Sequence, residues 1–317
     1  MRTILKLIKQ AKTIALFSHE NPDPDTIGST LALKSALEIL GKKVAVFCDH
    51  ELNQNYGFLP GYEDYNKCEG QDFDLLIAVD VANSTMLAKY EDLFLNHNNT
   101  IRLDHHVSGN DFARYNLMKN YSACAILIYF LIKKLKVKFN SDIATKIYFG
   151  ICGDTGIFRN NNTDSLTFKV CANLLSKGAE FRKVYTEFFD KKTVPWIKLT
   201  SSALLGANID DENKFVIMSV SKSDYEKFGA SETENIGNLP NSYLNAGYKI
   251  ACILKEREDG IHCSLRSKFE YDCSCIAEKF CGGGHKNASG CKFDVGLKEA
   301  EKQLAEEIKK YLKEKGE

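Results

Sequence analysis

The sequence predicts an α/β protein, a largely parallel sheet with flanking helices followed by a smaller α+β domain. Three observations carry that expectation. In the first half, short apolar runs at residues 14–17, 44–47, 73–79 and 100–103 alternate with helix-period segments, the pattern of a parallel sheet covered on both faces. After Phe189 the texture changes to closely spaced strand candidates around a glycine-rich turn. At 317 residues the chain is longer than one ordinary domain, so two separate cores are expected.

Taken in order, residues 14–17 read as a buried parallel strand. Pro22-Asp23-Pro24-Asp25 is set outside any helix because proline interrupts helical hydrogen bonding. Thr26 then opens an apolar-periodic helix through Ile27, Leu31, Leu33, Ala36, Leu37 and Leu40. Residues 123–135 and 143–152 are the next helices. Lys191-Lys192-Thr193-Val194-Pro195 reads as a connector, giving a first domain over 1–188, a linking stretch over 189–213 and a second domain over 214–317. That second domain reads as strands at 215–220, 248–254 and 261–266 with a turn at Asp259-Gly260. A short helix at 275–280, a glycine-rich turn, a strand at 291–293 and a terminal amphipathic helix follow.

Forty-two basic residues balance 42 acidic ones, which argues against a broad basic surface gripping long duplex nucleic acid but leaves room for a local basic pocket. No apolar run approaches the roughly 20 residues of a membrane span and the N-terminus lacks a signal-peptide pattern, so a cytoplasmic protein is expected. The 11 cysteines are scattered without a Cys-x-x-Cys pair, which fits reduced, mostly buried thiols. Cys273, Cys275, Cys281 and Cys291 crowd near His285, but their spacing matches no usual zinc pattern.

The chemistry concentrates where strands end. His19, Asp23 and Asp25 fall within seven residues just after the first strand, and such a cluster repels itself unless a cation binds. A capping loop rich in Asp is the plain alternative. Asp80 ends the run at 73–79, Asp104-His105-His106 end the run at 100–103, and Asp154 lies between glycines after an apolar helix. In an open α/β sheet these positions share one edge, where such folds bind ligands. The set His19, Asp23, Asp25, Asp80, His105 and Asp154 is oxygen-rich with two imidazoles and no thiolate. It suits two divalent ions, Mn²⁺ first with Mg²⁺ or Co²⁺ as substitutes, acting on a phosphoryl group.

These motifs resemble the DHH phosphoesterase superfamily. His19-x-x-x-Asp23-x-Asp25, Asp80, Asp104-His105-His106 and Asp154-Thr155-Gly156 match its first four motifs in order. Ser264-Leu265-Arg266-Ser267 and Gly282-Gly283-Gly284-His285 resemble its associated DHHA1 domain. Thr155-Gly156-Ile157-Phe158-Arg159 and the two-domain layout resemble the NrnA-type nano-RNases, which also remove the 3′-phosphate of 3′-phosphoadenosine 5′-phosphate (pAp). By resemblance, His19, Asp23 and Asp80 hold one ion and Asp25, Asp80, His105 and Asp154 the other. Asp104 orients a histidine, and His106 and Asp80 are catalytic. Arg159, Arg266, Ser267, Gly283, Gly284 and His285 would contact substrate in a cleft between the domains.

The implied partners are short single-stranded oligoribonucleotides and small nucleotides, with no long duplex, no membrane and a homodimer left open. A cyclic di-AMP or pApA phosphodiesterase of the same superfamily, and a nucleotide-binding regulator without turnover, stand as alternatives. One departure stands out: Ser122-Ala123-Cys124-Ala125-Ile126 lacks the Glu that many relatives carry at the opening of that helix.

Overall fold

The computed structural model describes residues 1–49, 54–68, 72–107, 109–232, 234 and 236–316. The chain divides into two compact units, Met1–Lys191 and Lys192–Glu317.

The first unit is built on five strands, β1 (Thr13–Phe17), β2 (Lys43–Phe47), β3 (Leu75–Val79), β4 (Thr100–Asp104) and β5 (Tyr115–Met118). All pair in parallel, in the order β2-β1-β3-β4-β5. Helices α1 (Arg2–Gln10), α2 (Pro24–Ile39), α3 (Glu91–Leu95), α4 (Cys124–Leu135), α5 (Ser141–Asp154), α6 (Ser165–Ser176) and α7 (Phe181–Val184) surround it. The apolar runs are strands because both faces are buried. Ile14, Leu16, Ile77, Ile101 and Leu103 pack in one core with α2, α4 and α5, while Ala15, Phe17, Ala78 and Phe94 form a second core on the opposite face. The edge strand β5 is short and partly polar, which is why no apolar run announced it.

One expectation is corrected here. Helix α2 begins at Pro24, not Thr26, so Pro24 and Asp25 are helical. Asp23 is the N-cap, its side chain accepting from the Thr26 amide at 2.9 Å. Pro24 stands in the first turn, where its missing N–H has no partner to lose. The proline therefore starts the helix, and Asp25 is carried on its first turn.

The second unit holds a mixed sheet, β6 (Asn208–Asp210), β7 (Phe215–Val220), β8 (Ile250–Arg257), β9 (Gly260–Ser267), β10 (Gly283–His285) and β11 (Ala288–Phe293), in the order β10-β11-β9-β8-β7-β6. One face packs on α11 (Ser274–Glu278) and α12 (Leu297–Glu314). The other packs on α8 (Val194–Leu205), α9 (Lys222–Phe228) and the segment around α10 (Asn241–Asn245). The glycine-rich turn differs from expectation: residues 283–285 are extended and pair antiparallel with β11, since Gly284 at φ 140° reaches a backbone region that L side chains rarely adopt. No described helix is long and apolar enough to cross a membrane.

Candidate metal centre

Parallel pairing brings the carboxyl ends of β1, β3 and β4 side by side, and each ends in metal-ligand chemistry. His19 follows β1, Asp80 follows β3, and Asp104 closes β4 ahead of His105 and His106. Asp25 arrives on the first turn of α2, and Asp154 on the last turn of α5. Three overlapping groups result: His19, Asp23 and Asp80; Asp25, His105 and Asp154; and Asp80, His105 and His106. Within each, the ligand atoms lie within 4.8 Å of one another.

The first group is tied together by a side chain that the motif reading passed over. Thr26 Oγ1 lies 2.7 Å from His19 Nε2, donates to Asp80 Oδ2 at 2.7 Å and lies 3.2 Å from Asp23 Oδ1. Asp80 itself has φ 60°, a left-handed conformation costing on the order of 1 kcal/mol. Its amide is held by the Leu103 carbonyl at 2.8 Å, so the sheet sustains the strain.

The second group depends on helix packing. Asp25 is fully buried and accepts from the Cys124 and Ala125 amides at 2.5 and 2.9 Å and from Ser29 Oγ at 3.1 Å. Those amides are otherwise unsatisfied at the start of α4, where a negative charge is favoured. The 122–126 stretch that lacks a Glu thus receives a carboxylate from α2. Gly150 makes the room: a Cβ there would stand 2.8 Å from both Asp25 Oδ1 and the Ala125 methyl.

His105 donates through Nδ1 to the Tyr121 carbonyl, 3.0 Å away. A carbonyl can only accept, so the proton is on Nδ1 and Nε2 is turned inward. Nε2 lies 3.1 Å from Asp154 Oδ2, 3.6 Å from Asp80 Oδ1 and 3.9 Å from Asp25 Oδ2. The Asp154 carbonyl is held by the Asn160 and Asn162 side-chain amides at 2.9 and 3.2 Å, two residues outside the motifs. Gly156, Ile157 and Phe158 are all left-handed, a strained turn placed directly behind Asp154.

The electrostatics are those of a site that wants a cation. Burial, reinforced by Asp154, pushes Asp25 up to about 8. Burial, then Asp25 and Asp23, lift Asp80 well above the usual carboxylate range. Burial opposes the charged form of His105, yet the hydrogen bond to Asp154 and the charges of Asp25 and Asp80 outweigh it and raise it to about 10. Asp80 Oδ1 is buried with no hydrogen-bond partner among the described residues. An orphaned carboxylate oxygen within a crowd of carboxylates and imidazoles fits a hard divalent ion.

His106 is oriented differently. Its Nδ1 lies 2.8 Å from Asp104 Oδ1, and the other Asp104 oxygen pairs with the buried Arg102 guanidinium. Burial works against the Asp104 carboxylate, but His106 and Arg102 together hold it below its ordinary value. Arg102 lies outside the motifs, a single charge inside an apolar strand.

The remaining sequence candidates are spread out. Arg159 is exposed and donates from Nε to the Gly156 carbonyl at 2.9 Å. In the second unit, Arg266, Ala288 and His285 lie in one row across β9, β11 and β10, with Gly283, Gly284 and His285 exposed. Arg266 Nη2 bonds Asn238 Oδ1 at 3.0 Å. Ser267 is not brought to that face: it is buried, donating to the Tyr271 carbonyl at 2.8 Å. All 11 cysteines are free, with Cys273 and Cys291 buried and Cys275 and Cys281 exposed.

Comparison with known proteins agrees with this layout. The family model described as "DHH family, N-terminal domain" matches residues 13–151, and the DHHA1 domain model matches residues 212–314. The bifunctional oligoribonuclease and PAP phosphatase NrnA of Thermus thermophilus is 28% identical over 324 residues, covering 100% of this chain and 95% of the relative. The Bacillus subtilis protein of the same name is 27% identical, covering 96% of each. The crystal structure of an exopolyphosphatase-related protein from Bacteroides fragilis superposes with a TM-score of 0.91 at 25% identity, over 100% of this chain and 97% of that one.

Proposed function

Since the chain belongs to the DHH family, with a DHHA1 domain after its DHH domain, we propose that it is a metal-dependent phosphoesterase. It hydrolyses short oligoribonucleotides to mononucleotides and removes the 3′-phosphate of pAp, the two activities named for its relatives from Thermus thermophilus and Bacillus subtilis. The observation that carries this reading is the convergence of His19, Asp23, Asp25, Asp80, His105 and Asp154 from separate segments onto one sheet edge.

In this reading His19, Asp23 and Asp80 hold one divalent ion, and Asp25, Asp80, His105 and Asp154 hold the other, with Mn²⁺ the favoured metal. Bound ions of this kind supply Lewis-acid polarisation of a phosphoryl group and of water at neutral pH. The protein's own contribution is placement. Thr26 keeps His19 and Asp80 in register, the α4 amides fix Asp25, and the Tyr121 carbonyl fixes the His105 tautomer. His106, held through Nδ1, offers Nε2 to the scissile phosphate or to the departing oxygen.

Arg266, Gly283, Gly284 and His285 form the recognition surface. A guanidinium can grip a phosphate with two donors, and exposed glycines let backbone N–H groups approach closely. Arg159 is a further phosphate contact, while Ser267 acts by fixing the local backbone. The protein works in the cytoplasm on short single strands and small nucleotides.

The test is product analysis. Protein with Mn²⁺ is incubated in turn with pAp, a diribonucleotide, a long RNA strand, pApA and cyclic di-AMP, and products are resolved by chromatography. Phosphate from pAp and mononucleotides from the short strand are expected. Hydrolysis of cyclic di-AMP alone would overturn the reading in favour of a cyclic dinucleotide phosphodiesterase.

A further inference from the structure

Arg102 occupies the middle of β4, where a parallel sheet covered on both faces leaves no water for a charge. The residue is 1% exposed. Alternation along the strand puts Arg102 and Asp104 on the same face, two residues apart, while Ile101 and Leu103 enter the core with α2 and α4. The guanidinium is held on several sides. Nε donates to the Val81 carbonyl at 2.8 Å, Nη2 pairs with Asp104 Oδ2, and Nη1 lies 3.5 Å from Asp111 Oδ1. The Phe112 ring centroid lies 5.7 Å away. Gly109 lies directly against it, where a Cβ would meet the Ala82 carbonyl at 2.7 Å.

A buried ion pair is a poor device for stability alone, because apolar residues of similar volume do as well or better. What distinguishes this one is how the Asp104 oxygens are divided. Oδ2 is taken by Arg102, which leaves Oδ1 to His106 Nδ1 at 2.8 Å. Arg102 in turn is anchored to the backbone just beyond Asp80 through Val81. The His106 ring, whose side chain is 41% exposed, has no other described hydrogen-bond partner. The ring's hydrogen bond is thus made to a carboxylate that Arg102 holds, while Asp80 Oδ1 lies farther off, 3.7 Å from Nδ1.

We infer that Arg102 is a positioning residue for phosphoester hydrolysis: by fixing Asp104 it keeps the proton of His106 on Nδ1 and turns Nε2 toward the substrate. The assignment rests on the function proposed above, in which His106 meets the scissile phosphate. Arg102 touches no substrate and holds no metal. Its removal is expected to impair turnover and leave substrate capture nearly intact.

A mutant cycle on the full chain tests this, using Arg102→Met, Arg102→Lys, Asp104→Asn and the Met/Asn double variant. Kinetics with Mn²⁺ and pAp, Mn²⁺ binding and thermal melting are measured for each. R102M should lower kcat by about 10- to 100-fold, as loss of a group supporting an active-site histidine does, with KM little changed. R102K should recover part of that loss. The double variant should be no slower than D104N, since both act through one path. A folded R102M with ordinary kcat, or losses that multiply in the double variant, would overturn the inference. Should R102M fail to fold, the same cycle built on R102K carries the test.

A readout independent of turnover uses metal-free protein with ¹⁵N-labelled histidine. A protected His106 Nδ1–H resonance is expected in wild type and should be lost in R102M; its persistence contradicts the inference. Wild-type protein that hydrolyses neither pAp nor oligoribonucleotides would refute the proposed function, and the resonance would still decide the role of Arg102.

Discussion

The two units keep their important side chains in opposite surroundings. In the first, Asp25 and Asp104 are completely buried and Asp80 is 1% exposed. In the second, Gly283, Gly284 and His285 face solvent and Arg266 is half-buried. Desolvated carboxylates store repulsion that only a cation or protons can relieve. An open face with a guanidinium stores little and gains its interactions when a ligand arrives. The first arrangement suits a preorganised reaction centre, the second a surface that selects what reaches it.

The sharpest way to break that comparison is Asp80→Ala. Asp80 belongs to two of the three ligand groups, so turnover of pAp should fall by about a thousandfold or more and Mn²⁺ binding should weaken. Near-normal rates would mean the buried cluster is not where chemistry occurs.

Next comes Gly150→Ala. Its methyl would press on Asp25 and Ala125 at 2.8 Å, a clash within a packed core that typically costs about 1–3 kcal/mol. A lowered melting temperature together with weaker Mn²⁺ affinity is expected. Unchanged melting would show that α2 and α5 can separate freely.

Acidity offers a third test. In the metal-free protein Asp25 keeps its proton to about pH 8, because burial and then Asp154 oppose its charge. Its unfolded counterpart loses the proton near the ordinary aspartate value of 3.8. Between these values the folded state binds more protons, so this group's contribution to stability declines as pH rises. Mn²⁺ should therefore raise the melting temperature more at about pH 8 than at about pH 5, with Asp25→Asn flattening the difference. Equal stabilisation at both pH values would argue against a cation relieving Asp25.

The smallest effect belongs to the open surface. Arg266→Ala should raise KM for pAp by about tenfold, the scale of one charge-assisted hydrogen bond, with kcat nearly unchanged. A fall in kcat alone would move Arg266 from recognition into the chemistry.

How legible these regions were in the sequence follows the same divide. His19, Asp23, Asp25, Asp80 and the Asp104-His105-His106 triplet could be found because each stands at the end of a recognisable apolar strand or beside it. A parallel sheet places such ends together. What stayed hidden was contact across long separations. Nothing near Asp25 indicates that it accepts from amides 99 and 100 residues away. Thr26, Asn160 and Asn162 resemble ordinary capping and loop residues until their partners are known.

Two local patterns are ambiguous by themselves. Proline breaks a helix interior, yet at the first turn Pro24 starts α2. Glycines suggest a turn by composition, yet Gly283 and Gly284 pair as a strand with β11. Arg102 differs from both: a lone guanidinium in Thr100-Ile101-Arg102-Leu103 was a visible signal, because a strand buried on both faces tolerates a charge only when it is paired.

The proposed function calls for two divalent ions in the buried cluster of the first unit. Anomalous scattering from crystals of the full chain grown with Mn²⁺ tests it most directly. Two peaks are predicted, one among His19, Asp23 and Asp80 and one among Asp25, Asp80, His105 and Asp154. Mn²⁺ peaks lying only elsewhere on the protein, or none in crystals of active enzyme, would contradict it.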